Sequence, residues 1–335
     1  MESALPVLWF AIIGFAVLMY VLMDGFVLGM GILTPFARDE RQLDQMMNTA
    51  APIWDGNETW LVMGGAGLLA AFPNAYAIML SSLYLPVLLM LIALVLRGVS
   101  FEFRFKATTS RRLWGICLAV GSIAAAFAQG VILGAIVEGI PLEDGRYLGG
   151  AFGWFSPFSM LTGAALVFGY ALLGSTWLVA KTTGPLQDLA FMLTRPLIAV
   201  VVAFMGLVSA WLPFLDSRIM ARWFEGGHFW WLAPVPLLAL LNALALWRAA
   251  KAQGRDSRPF VLTLTFFALG FAGLVLGLWP YIVPPHLTIW QAASSPSSQV
   301  FVGVGIVLLL PAILGYTWWS YRVFRGKVEA DSGYH

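Results

Sequence analysis

The chain has 335 residues, of which 60% are hydrophobic and only 11% charged. A soluble domain carries about 25% charged residues, so the composition excludes a soluble enzyme and points to an all-α, polytopic integral membrane protein. The net charge of +2 says less than the placement of the charges, and the single cysteine, Cys117, excludes a disulfide framework within the chain.

Nine apolar runs have the length of membrane spans, at roughly 7–34, 51–73, 75–97, 113–138, 157–180, 190–215, 229–248, 260–283 and 298–321. The first is long and is expected to tilt or break near Gly25, Gly29 and Gly31. It lacks a basic leading region and is too long for a cleavable signal peptide. The second and third runs abut at Pro73-Asn74 and form a helical hairpin. The longest connection, 139–156, separates halves of about 1–140 and 150–325 within one membrane domain, 1–335. Nine alternating spans put sixteen of the nineteen Lys and Arg residues on one side and only Arg146, Arg218 and Arg222 on the other. That bias predicts an outside N-terminus and a cytoplasmic C-terminus.

The second run opens with Trp54-Asp55-Gly56-Asn57-Glu58. A carboxylate at the centre of a spanning helix costs roughly 2.5–3.5 kcal/mol, so such residues are used or are buried against a partner. Asp55 and Glu58 are three apart and project from nearly one face. Asp24 lies about nine residues into the first span, roughly 13 Å from its cytoplasmic end. The small residues Gly25, Gly29, Gly64, Gly65 and Gly67 allow the first two helices to pack closely and bring the three acids together.

Each residue has two readings. Asp55 is a proton-relay carboxylate, or an Asp at a helix start where the dipole favours negative charge. Asp24 serves the same path or a buried hydrogen bond. Glu58 relays protons or pairs with another side chain. Asn57 and Thr59 hydrogen-bond water in the path or bond to backbone. Arg97 snorkels at the end of the third helix, forms a salt bridge that closes the second-third hairpin, or balances Asp55, and Arg97, Glu102 and Trp54 are candidate interface or charge-balancing residues. Arg195 marks a further interface. Trp223, Trp230 and Trp231 form an interfacial belt, and His286 is solvated.

None of the three histidines, His228, His286 and His335, lies in a predicted span, which excludes bis-His haem ligation across two helices. A Met-only site stays open among thirteen methionines. There is no CxxC, HExxH or phosphate-binding loop, and nothing suggests nucleic acid as a partner. Intramembrane acids also fit a proton-coupled transporter, although no repeat of the kind such proteins carry is visible. A purely structural scaffold is a third reading.

Asp24-Gly25-Phe26 followed by Gly29 and Gly31, the run from Ala51 to Leu61 with its Trp-Asp-Gly-Asn core, Leu96 to Arg104, and Leu287-Thr288-Ile289-Trp290 with Ser294-Ser295 together resemble subunit II of cytochrome bd quinol oxidases. The matches keep their order along the whole chain and are densest over 20–105. The chain is short for that family, which points to its cyanide-insensitive branch. The resemblance implies a haem-free subunit of nine helices, two four-helix bundles plus one peripheral helix, in a bacterial inner membrane. It implies a larger partner, subunit I, that carries haem b, haem d and the quinol site, and a complex that oxidises membrane quinol and reduces dioxygen to water. It allows a small single-helix accessory subunit, and a quinone or lipid held structurally. It places the acids matching Asp24 and Asp55 on a hydrophilic path from the cytoplasm.

Overall fold

A computed structural model describes residues 4–143, 145–215, 229–251 and 256–329. The sequence expectations for Arg218, Arg222, Trp223, His228, Arg255, His335 and the Trp231 side chain fall outside the described residues.

The helices are α1 (Ala4–Leu33), α2 (Glu40–Asn48), α3 (Trp54–Ala71), α4 (Pro73–Lys106), α5 (Arg111–Glu138), α6 (Pro157–Lys181), α7 (Pro185–Leu215), α8 (Pro234–Ala249), α9 (Ser257–Leu278) and α10 (Pro296–Val323). Among the described residues, seven are long and apolar enough to cross a membrane: α1, α4, α5, α6, α7, α9 and α10. The other two predicted spans are helical but differ in kind. α3 has 18 residues and opens with Asp, Asn and Glu, and α8 has 16. Two short antiparallel ribbons, Leu142–Glu143 with Arg146–Tyr147 and Tyr281–Val283 with Leu287–Thr288, lie in connections.

Three expectations about elements are corrected. α1 runs unbroken through its glycines. Its intact ladder reflects enclosure, since every residue from Asp24 to Leu33 is buried. α4 continues nine residues past Arg97. That extension is held by an i,i+4 pair, Lys106–Glu102 at 3.6 Å, and by the buried Arg104. α2 was not anticipated: it is polar and amphipathic, capped by the Asp39 carboxylate, which accepts from the Gln42 N–H at 2.8 Å. α4 also bends at Leu83 (φ −116°, ψ 16°), three residues before Pro86, whose missing N–H breaks the helical ladder there.

α1 is the central helix and packs on α3, α5 and α6, while α4 packs on α5 and α6 packs on α7 and α9. The Gly25-x-x-x-Gly29 face meets α6, not α3. A Cβ at Gly29 would lie 1.7 Å from the Tyr170 carbonyl oxygen, and one at Gly174 would lie 2.2 Å from the Gly29 carbonyl carbon. The two backbones touch, which only residues without a side chain permit. Gly64 and Gly67 do face α1, against Val17 and Ile13.

Long-range bonds close both ends. At the basic end, Gln45 donates to the Val328 carbonyl (2.8 Å), the Val328 N–H donates to the Lys181 carbonyl (2.7 Å), and Lys327 pairs with Asp256. At the opposite end, Ser294 N–H donates to the Ala71 carbonyl (2.8 Å), Ile140 N–H to the Pro284 carbonyl (3.3 Å) and Trp9 Nε1 to the Gln299 carbonyl (3.2 Å).

Candidate functional site: an acid-lined groove over a buried arginine

α3 divides its residues by face. Asn57, Trp60, Met63, Gly64 and Gly67 recur at helical spacing and are buried. Asp55 and Glu58 take the neighbouring face and line a groove of about 460 Å³ between α3 and α4, together with Trp54, Leu61, Val62, Leu94, Gly98 and Glu102. Asp55 lies in the first turn of α3, where the sequence put it, and is exposed. Thr59 is exposed as well.

Arg97 lies beneath the groove and is completely buried. Its Nη1 donates to Asp24 Oδ1 at 2.6 Å, and its Nη2 donates to Glu58 Oε1. Three helices, α1, α3 and α4, are thereby joined through one guanidinium. Arg97 does not snorkel; its pair with Glu58 closes the α3–α4 hairpin, and its second partner is Asp24 rather than Asp55. The reason is its place in mid-helix, where its side chain is fully enclosed and a lone cation would be costly. Trp54 covers this pair: it stacks on Phe101 (centroids 5.4 Å apart, 5° between planes) and lies 5.9 Å from the Arg97 guanidinium carbon. Gly98 leaves the room, since a Cβ there would meet Trp54 at 3.0 Å.

Asn57 takes the backbone reading. Its Nδ2 donates to the Met23 carbonyl (2.9 Å) and its Oδ1 accepts from the Tyr321 hydroxyl (3.0 Å), so it ties α3 to α1 and α10. Glu102 is exposed and pairs with Lys106, joining neither Asp55 nor Arg97. Arg195 stacks over Trp247 at 4.4 Å, a contact between α7 and α8. His286 is exposed.

Two clusters escaped sequence reasoning. Arg104, fully buried, pairs with Glu40 and with Asp44 (3.0 Å), and Arg111 pairs with Asp44 at 2.7 Å. The signal was the seven-residue spacing from Arg97 to Arg104, two turns along one face, with Glu40 and Asp44 four apart. Deeper in, the Tyr170 hydroxyl donates to Gln129 Oε1 (2.8 Å) and Gln129 Nε2 donates to the Tyr20 hydroxyl (2.8 Å). Tyr20 lies one turn before Asp24, and a lone Gln in the apolar run of α5 was the available clue.

Among the described residues no His, Cys, Asp and Glu side chains group as metal ligands.

Comparison with known proteins bears on family and fold. The family model for cytochrome bd terminal oxidase subunit II matches residues 5–324. The chain is 29% identical to the cytochrome bd ubiquinol oxidase subunit 2 of Bacillus subtilis, over 98% of each. It is 27% identical to the cytochrome bd-I ubiquinol oxidase subunit 2 of Escherichia coli K12, over 98% of this chain and 96% of that one. It shares its fold with a chain of the bd oxidase structure from Geobacillus thermodenitrificans, with a TM-score of 0.80 at 17% identity, covering 96% and 99% of the two chains. The match runs through α1, the Trp54–Glu58 stretch and α10 alike, and the chain therefore belongs to the cytochrome bd terminal oxidase subunit II family.

Proposed function

We propose that this chain is the haem-free subunit of a bd-type complex in a bacterial inner membrane, where it supports a haem-bearing subunit I and takes up protons from the cytoplasm. The complex oxidises membrane quinol and reduces dioxygen to water, with haem b and haem d in the partner. The observation that carries this reading is the family match over residues 5–324. Family membership leaves nothing to favour a proton-coupled transporter.

The haem groups supply the redox chemistry; the work of this chain concerns protons. Reducing dioxygen consumes them inside apolar protein, so they need a polar route. The groove offers one: Asp55 and Glu58 sit one turn apart on its α3 side, with Glu102 on its α4 side, among apolar residues near the basic end. Asp55, exposed at the mouth, is the entry group in this proposal, and Asn57 holds α3 in place rather than conducting.

We further propose nine spans, as two four-helix bundles and a peripheral α10, with the N-terminus outside. Support comes from the ends of the molecule: the loops carrying Lys181, Asp256 and Val328 bond to one another, as do those carrying Ala71, Pro284 and Ser294 at the other end.

The test is gentle purification of tagged chain from its native membrane, followed by an absorbance spectrum and quinol-driven oxygen uptake. A copurifying larger subunit with b- and d-type bands and quinol oxidase activity is expected. A folded, colourless chain that emerges alone would sink the reading. In the assembled complex, Asp55→Asn should lower turnover by about tenfold or more while leaving the haem spectrum intact. Unchanged turnover would return Asp55 to a helix-start role.

A further inference from the structure

Asp24 and Glu58 share one arginine, yet their surroundings differ in kind. We infer that Glu58 is the acid that exchanges protons with the α3–α4 groove, and that Asp24 is a fixed counter-charge holding Arg97 beneath it; this rests on the proton-uptake reading above.

Access separates the two acids. The Asp24 and Arg97 side chains are 0% exposed, whereas the Glu58 side chain is 29% exposed and lines the groove beside Asp55. So does connectivity. A relaying group must take a proton from one neighbour and give it to another. Asp24 Oδ1 accepts from Arg97, and a guanidinium donates hydrogen bonds but does not release its protons in a protein. No proton therefore passes from Glu58 to Asp24 through Arg97. On its other side Asp24 neighbours Tyr20, which accepts from the Gln129 amide, which in turn accepts from Tyr170. An amide does not hand on a proton, so this chain of bonds fixes positions and conducts nothing.

Charge separates them too. Two carboxylates surround one guanidinium, which leaves one negative charge without a partner in the cluster. Binding one proton closes that imbalance, and Glu58 is the carboxylate a proton can reach. The other groups around it are Asp55 on α3 and Glu102 on α4 in the groove, Tyr20 on α1 behind Asp24, and Tyr316 and Tyr321 on α10 across α3. Arg97 is a positioning residue: it sets where the Glu58 carboxylate stands and takes no proton itself.

The experiment uses the whole oxidase complex and two readouts, turnover per haem and redox-induced difference infrared spectroscopy of protonated carboxyl groups. Glu58→Gln should lose a carboxyl protonation band and slow turnover by about tenfold or more, with Glu58→Asp recovering part of both. Asp24→Asn should keep the band. It should lower the yield of complex, but what assembles should turn over about fivefold or more faster than Glu58→Gln. If Asp24→Asn fails to assemble, Asp24→Glu keeps the counter-charge to Arg97 and is read instead: the carboxyl band should stay at its wild-type frequency, whereas a protonated group at position 24 would move it. A band that survives Glu58→Gln, or one that disappears with Asp24, overturns the inference. Preparations without haem bands would instead count against the oxidase reading itself.

Discussion

Arg97 is the residue whose loss the chain should tolerate least. Removing one partner of a buried ion pair leaves an uncompensated charge, at a cost of about 3–5 kcal/mol. Arg97→Met strands Asp24, so the purified complex should melt at a clearly lower temperature, and Arg97→Lys should recover only part of the loss because an ammonium lacks the two-pronged reach. An unchanged melting profile would show that the three-helix joint adds nothing to stability. The acids of this joint were legible in the sequence because carboxylates inside apolar runs announce themselves by their cost. Their partners were not. Spacing tells which face of a helix a residue occupies but not which helix stands opposite, so the hairpin-closing salt bridge of Arg97 was read without its partner Glu58, and Asp24 was not read as its second partner. Glu58 has the side-chain partner that one of its two readings named, and Asn57 the backbone partner that one of its two readings named.

The helix contacts carry their own predictions. Gly29 and Gly174 bring α1 and α6 to backbone contact, so Gly29→Val should force the helices apart, and folded protein should fall steeply in size-exclusion yield. Gly65→Ala, at a site where a Cβ meets nothing within 4 Å, is the control and should fold normally. At the basic end, the hydrogen bond from Lys327 holds the Asp256 carboxyl below its ordinary range. A group whose value is depressed on folding stabilises above its unfolded value and loses that contribution as pH falls through the folded one. Wild type should therefore melt above Asp256→Asn at neutral pH, and the gap should close by about pH 3. Apolar length made most helices readable. α2 was missed because a short polar helix has no such signature, and the end of α4 was misplaced because the sequence reading stopped the span at its first charge, whereas the helix runs on for two more turns.

For the molecule as a whole, the bonds across each end predict one sidedness. Single cysteines introduced at exposed positions 108 and 325 should react with an impermeant thiol reagent only in inside-out vesicles, and one at exposed position 150 only in right-side-out ones. Any crossing of these patterns would break the nine-span topology. The family was readable from sequence because its marks are local runs of residues. The α1–α6 contact was not, because it depends on which glycines of two distant helices meet. The exposed apolar side chains of α10, Val304, Val307 and Leu308 among them, belong on a surface facing lipid or another subunit.

The three-helix joint at Arg97 also constrains how the chain enters the bilayer. Synthesis delivers Asp24 first, then Glu58, and Arg97 last. Each alone in lipid costs roughly 2.5–3.5 kcal/mol at a helix centre, and only the arrival of the arginine relieves the two acids. Releasing α1 and α3 singly would expose unpaired acids to acyl chains, whereas releasing them together with α4 would not. The insertion machinery thus has reason to retain the first helices until α4 arrives, and to pass the early part of the protein to the membrane as one unit.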